Sequence, residues 1–212
     1  MFLYHGTSGF GDEEVLTGRP YGGCAILWRS DLNFRVDVIA TGSRRCCAVR
    51  ICTDTWSMLV INVYMPYEDG SERSDLFVQT LSVIESVIAV HADCHVIVGG
   101  DFNVDFSRAW LHTGILRDFC AKLNLEPTIL HESSHVDYTY NFNMSRFNLL
   151  DHFIVSGTLF HTAVELVSVM HDGDNISDHE PLCIELNLCS EVIGCSKKSH
   201  TDRIAWHKVN DT

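Results

Sequence analysis

The stretch HVIVGGDFNVDF, His95–Phe106, decides how this sequence folds. It opens as a short apolar run, read as a buried strand over Cys94–Val98. It breaks on Gly99 and Gly100 and then presents Asp101 and Asn103. In extended chain, side chains at i and i+2 share one face, so the carboxylate and the carboxamide point the same way. The glycines let the backbone turn at no steric cost, or approach a ligand closely. Two readings stand: a polar Asx turn, or one wall of a metal site.

Working outward, four β-rich runs precede it: Gly22–Arg29, Asn33–Ala40, Arg44–Cys52 and Ser57–Tyr64. Gly42-Ser43 and Thr53-Asp54 read as tight connections, and successive strands this close are expected to pair antiparallel. From Ser74 the apolar positions Leu76, Phe77, Leu81, Ile84, Val87 and Ile88 recur at helical spacing. A second helical pattern, Leu111, Ile115, Leu116, Phe119 and Leu123, runs to a break at Leu125-Glu126-Pro127. Strands return at Asp137–Phe142, Asn148–Ser156, Phe160–Met170 and Pro181–Leu188, the last alternating Leu182, Ile184, Leu186 and Leu188 on one face. Many strands with two helices imply an α/β fold, a two-sheet core with helices packed outside. Residues 1–189 read as one domain and residues 190–212 as a polar, locally basic tail.

Composition narrows the function. At 212 residues the chain can bury a sizeable core. It has no apolar run long enough to cross a membrane as a helix, and its first residues lack the pattern of a secretory signal. A net charge of −13 argues against gripping nucleic acid by bulk electrostatics, though a local basic strip can still guide a strand. Nine cysteines, none in a C-x-x-C pair, read as reduced, largely buried thiols of a nuclear or cytoplasmic protein. Twelve histidines scattered without ligand spacing give no structural zinc site.

Polar residues collect at strand ends. Asp151 interrupts the apolar run NLLDHFIVS; it either faces water on an edge strand or needs a hydrogen-bonding or cationic partner. Ser177-Asp178-His179 stands before the last strand, where a loop opens onto a sheet edge. His179 is the obvious partner for Asp151, since a carboxylate on one ring nitrogen fixes the tautomer and favours imidazolium. Tyr64 ends its strand ahead of Pro66, either as a core phenol or as a donor to an anionic oxygen. Oxygen ligands of this kind suit Mg²⁺ or Mn²⁺ and not zinc. A carboxylate-bound Mg²⁺ polarises a phosphate oxygen, which is the chemistry of phosphodiester hydrolysis.

GGDFNVD, LLDHFIVS and ISDHEPL, in this order, resemble the endonuclease/exonuclease/phosphatase superfamily. GRPYGGCAILWR, INVYMP and YTY resemble strands of the apurinic-like endonuclease domain of LINE-type non-LTR retrotransposons. The tail RIAWHKVN resembles the segment that links such domains to a reverse transcriptase. The resemblance spans about residues 18 to 208. It implies a four-layer sandwich of two mixed β-sheets flanked by helices, DNase I-like. Carried over by position, Asp101 activates the attacking water, Asn103 helps hold that water and the phosphate, and Asp178 ligates Mg²⁺. His179, paired with Asp151, stabilises the phosphorane charge, and Tyr64 bonds the scissile phosphate. Thr139 and Ser177 support the site, and His152 serves packing.

The sequence also departs from that pattern. The family begins with a strand carrying Asn and a strand ending in Gln-Glu, whose Glu is a metal ligand, both upstream of the pair matching Gly22-Gly23. The chain is expected to lack these strands, as an N-terminally truncated copy, with Glu13 and Glu14 at a hairpin tip away from the metal. The leading expectation is a Mg²⁺-dependent endonuclease that nicks DNA through weak, local contacts, with no membrane and no obligate protein partner. The alternative is a catalytically inactive remnant acting at most as an interaction module. A phosphorylated lipid or small molecule as substrate is a third reading.

Overall fold

The computed structural model describes residues 1–10, 22–68, 71–142 and 146–188. The expected domain boundary at Cys189, the tail, and Glu13 and Glu14 lie outside these residues.

Six strands form the central sheet: β3 (Arg35–Ile39), β4 (Cys46–Cys52), β5 (Ser57–Tyr64), β6 (His95–Asp101), β11 (Asp151–Ser156) and β7 (Leu125–Pro127), in the order β3-β4-β5-β6-β11-β7. The sheet is mixed. Strands β5 and β6 run parallel, and the other neighbours run antiparallel. A parallel pair needs a crossover, which α1 (Ser71–Val90) supplies between them. Alternation along the strands then separates two cores. Leu59, Ile61, Val63, Val96 and Val98 face Phe77, Leu81 and Ile84 of α1 and Leu116 and Phe119 of α2 (Leu111–Leu123). Met58, Ile97 and Val155 face the opposite way, against α3 (Gly157–Thr162) and β12 (Val164–Val169).

The second layer is built from short pieces. Strand β12 pairs antiparallel with β13 (Leu182–Leu186) and parallel with β8 (Ser134–His135). Strand β1 (Phe2–Ser8) pairs along its whole length with β2 (Gly23–Arg29). Strand β9 (Tyr140–Phe142) pairs with β10 (Arg146–Asn148). Among the described residues β2 pairs only with β1, and β13 only with β12. These two strands border one groove of about 700 Å³, floored by Val60, Asn62, Ile97 and Phe153.

Several expectations are corrected. Strands β2 and β3 do not pair; the chain crosses between sheets there. Leu125-Glu126-Pro127 is a strand and not a break, because β7 is an edge strand, where proline is tolerated despite its missing N–H. Phe160–Thr162 is helical, closing the turn after β11, and only the remainder of Phe160–Met170 is strand. Asp137–Thr139 is irregular ahead of the short β9. Among the described cysteines, all free, Cys24, Cys46, Cys47 and Cys120 are buried, while Cys52, Cys94 and Cys183 are half-buried.

The glycine pair has distinct steric reasons. A Cβ on Gly99 would sit 2.7 Å from the Phe153 ring. Gly100 has φ +136, and a Cβ there would run into the Val63 carbonyl oxygen of the neighbouring strand. Gly100→Ala is therefore expected to destabilise the fold by more than about 1 kcal/mol, since backbone and φ conflict at once. Chemical denaturation checks this; an unchanged midpoint would contradict it.

Candidate active site

The site lies at one end of the central sheet, where neighbouring strands stop at the same level. Tyr64 of β5 is the register partner of Asp101 of β6, and Asp101 is the partner of Asp151 of β11. Three adjacent strand ends thus deliver a phenol and two carboxylates to one place.

Asp101 and Asn103 meet by a route other than the one expected. Strand β6 ends at Asp101, and Asn103 turns back with φ +51 in the left-handed region. The Asn103 N–H donates to Asp101 Oδ1 at 2.9 Å, an Asx turn. Its side-chain nitrogen donates to the Met65 carbonyl at 2.9 Å and to Asp101 Oδ2 at 3.2 Å. A carbonyl only accepts, so the amide orientation is fixed, and Oδ1 is the atom left for a ligand. The turn and the site wall are one structure.

Asp151 does not sit on an edge strand: β11 lies between β6 and β7. Its carboxylate accepts a 2.7 Å hydrogen bond from Nδ1 of His179. That bond holds the imidazole pKa above its ordinary range, against the opposing effect of burial. Nε2 is the ring nitrogen left for chemistry. Asp101 is pushed the other way from a free carboxyl: burial first, then the Asp151 carboxylate, raise its pKa to about 6.

Backbone contacts hold the loop carrying Asp178 in place. Asn141 N–H donates to the Asp178 carbonyl at 2.9 Å, and Glu180 N–H to the Thr139 carbonyl at 2.7 Å. The Ser177 hydroxyl accepts from His179 N–H at 3.1 Å. Asn175, which the sequence reading did not single out, donates its side-chain amide to the His179 carbonyl at 2.8 Å. Thr139 is fully buried, and its hydroxyl accepts from the N–H groups of both Leu150 and Asp151 at 3.0 Å. Thr139→Val removes that acceptor, at a cost of about 1–3 kcal/mol for each amide left unpaired. Thr139→Ser is expected to recover most of the loss in a denaturation midpoint. Equal stability of the Val and Ser variants would contradict this role. His152, as expected, serves packing: it is buried against Phe106, and its Nε2 donates to the Val104 carbonyl at 2.7 Å.

Asp101, Asn103, Asp178, His179, Tyr64, Tyr67 and Tyr140 line one cavity of about 740 Å³, with Gly22 and Gly23 opposite. Tyr140 packs its ring 5.0 Å from that of His179. Tyr140 closes the YTY motif but was not read as a site residue, and Tyr67 carried no sequence signal and is found only from the fold. Asp178 is solvent-exposed. No cluster of three or more His, Cys, Asp or Glu able to cage a metal occurs among the described residues. The donors present are oxygens beside an accumulation of negative charge. They fit a hard cation held as Mg²⁺ commonly is, by one or two carboxylates together with substrate phosphate. Asp178 is the residue that would hold it.

Residues 2–179 match the sequence profile of the Endonuclease/Exonuclease/phosphatase family, and the chain belongs to that family. Its fold is shared with the endonuclease domain of TRAS1, a telomere-specific non-LTR retrotransposon, at a TM-score of 0.65 and 17% identity, covering 88% of this chain and 79% of that one. It is also similar to the 3′ phosphatase NExo from Neisseria, solved with a product DNA hairpin, at a TM-score of 0.59 and 19% identity, covering 87% and 79%. A mannosyl-6-phosphatase from Bacteroides thetaiotaomicron aligns at a TM-score of 0.57 and 21% identity, covering 88% and 77%. No curated protein matches the chain. No described helix is long and apolar enough to cross a membrane.

Proposed function

We propose that the chain is a Mg²⁺- or Mn²⁺-dependent phosphodiesterase that nicks DNA. The observation that carries the reading is the 2.7 Å Asp151–His179 bond beside Asp101, whose carboxyl is raised to about 6. One group is tuned to accept a proton near neutrality and the other to stay charged, both bordering the cavity that Asp178 lines.

Asp101 takes the proton of the attacking water. Asn103 orients that water through Oδ1, its N–H groups being already used. The phosphate therefore relies on His179 and Tyr64, with imidazolium Nε2 facing the charge that develops on phosphoryl oxygen. When bound at Asp178, the cation supplies Lewis-acid polarisation of a phosphate oxygen and stabilises the leaving alkoxide. DNA is favoured as substrate by the retrotransposon and DNA-bound neighbours. With a net charge of −13, its contacts are local.

A second reading, a fold retained without chemistry as an interaction module, draws on the missing three-donor cluster among the described residues. Conversion of supercoiled plasmid to open circle separates the two. Nicking is expected in Mg²⁺, to stop with chelator and to return when Mg²⁺ is restored. Absence of nicking across Mg²⁺ and Mn²⁺ would favour the module.

A further inference from the structure

A second cavity adjoins the candidate active site. It measures about 340 Å³ and shares Gly22 and Tyr64 with the catalytic cavity. Its other walls are Ser43, Arg44 and Arg45 from the approach to β4, and Gln79 and Thr80 from α1. Among the described residues its lining includes Arg44 and Arg45 and no acidic residue. This occurs in a chain with 28 acidic against 15 basic residues.

Arg45 is fixed at the junction. Its carbonyl accepts the Tyr64 N–H at 2.9 Å, continuing the β4–β5 ladder one step beyond Cys46 and Val63. Its guanidinium donates to the Tyr64 carbonyl at 3.1 Å and lies 5.8 Å from the centre of the Tyr64 ring. Arg45, Tyr64, Asp101 and Asp151 therefore stand on four adjacent strands at one level. Strand spacing places the Arg45 backbone about 10 Å from that of Asp101. Arg45 forms no ion pair with a carboxylate among the described residues. A guanidinium positioned by a carbonyl and a ring, with donors to spare, is built to receive an anion.

We propose that Arg45 binds a second phosphate of a polynucleotide strand, flanking the phosphodiester that His179 and Tyr64 hold. This rests on the phosphodiesterase reading and adds to it a contact with the strand beyond the scissile phosphate. A strand places anions on both sides of Tyr64, whereas an isolated phosphate ester leaves the Arg45 cavity empty.

The test compares wild type, Arg45→Ala and Arg45→Lys on a labelled oligonucleotide and on bis(4-nitrophenyl) phosphate, a phosphodiester without flanking phosphates. In Arg45→Ala, the oligonucleotide-to-ester ratio of kcat/KM is expected to fall about ten- to a hundredfold. Arg45→Lys is expected to restore part of that ratio. Equal losses on both substrates would show a prop for Tyr64 alone and overturn the proposal, as would no loss on either. Oligonucleotide binding in chelator, read by anisotropy against salt, decides the matter without turnover. Removing Arg45 is expected to reduce the slope of log K against log salt by about one, and an unchanged slope overturns the proposal. If wild type hydrolyses neither substrate, the phosphodiesterase reading fails, and the binding arm still judges Arg45.

Discussion

Asp101→Asn is expected to lower phosphodiester hydrolysis by about a hundred- to ten-thousandfold, the range carried by a positioned general base. Asparagine keeps the shape and can still accept the Asn103 N–H, so the Asx turn survives while proton transfer is lost. The wild-type pH profile carries the same signature. A base acts only as carboxylate, and burial with Asp151 alongside raises this carboxyl to about 6. The rate is therefore expected to climb as pH rises through about 6, and to fall again at higher pH where His179, whose pKa the Asp151 bond raises, gives up its proton. A rising limb near 4, the ordinary range of an unperturbed carboxyl, would remove Asp101 from the role.

His179→Ala and Asp151→Asn form the second large effect, each expected to cost about a hundred- to a thousandfold in kcat. The two side chains act through a single 2.7 Å bond. Without Asp151 the imidazole loses the partner that fixes its tautomer and holds its pKa up. The double variant is accordingly expected to be little worse than the poorer single one. Fully multiplicative losses would show that the residues work separately.

Particular residues show what could be read without coordinates. Helix α2 was legible because five apolar residues recur at its period. The helix that crosses between β5 and β6 was legible in the same way, from Leu76, Phe77, Leu81, Ile84, Val87 and Ile88. Asp151 was legible as an anomaly, and its need for a partner selected His179. Short segments were not legible. Leu125–Pro127 looks like a break because proline is read as a stop, and only its edge position makes it a strand. Phe160–Thr162 is too short for periodicity to separate helix from strand. The mutual hydrogen bonding of Asp101 and Asn103 depends on one left-handed residue that spacing does not reveal. Tyr67 and Arg45 come to the candidate site because distant strands stop level with one another, whereas Asn175 joins through the loop it shares with His179.

The proposed role of the cavity around Asp101 and Asp178 is metal-assisted phosphodiester hydrolysis. The direct measurement is single-turnover nicking of supercoiled plasmid in Mg²⁺ by wild type and by Asp178→Ala. Open circles are expected from wild type and a severe loss in the variant, with the fold intact because the Asp178 side chain is exposed. Equal nicking by both proteins, or none by wild type in any divalent cation, would contradict it.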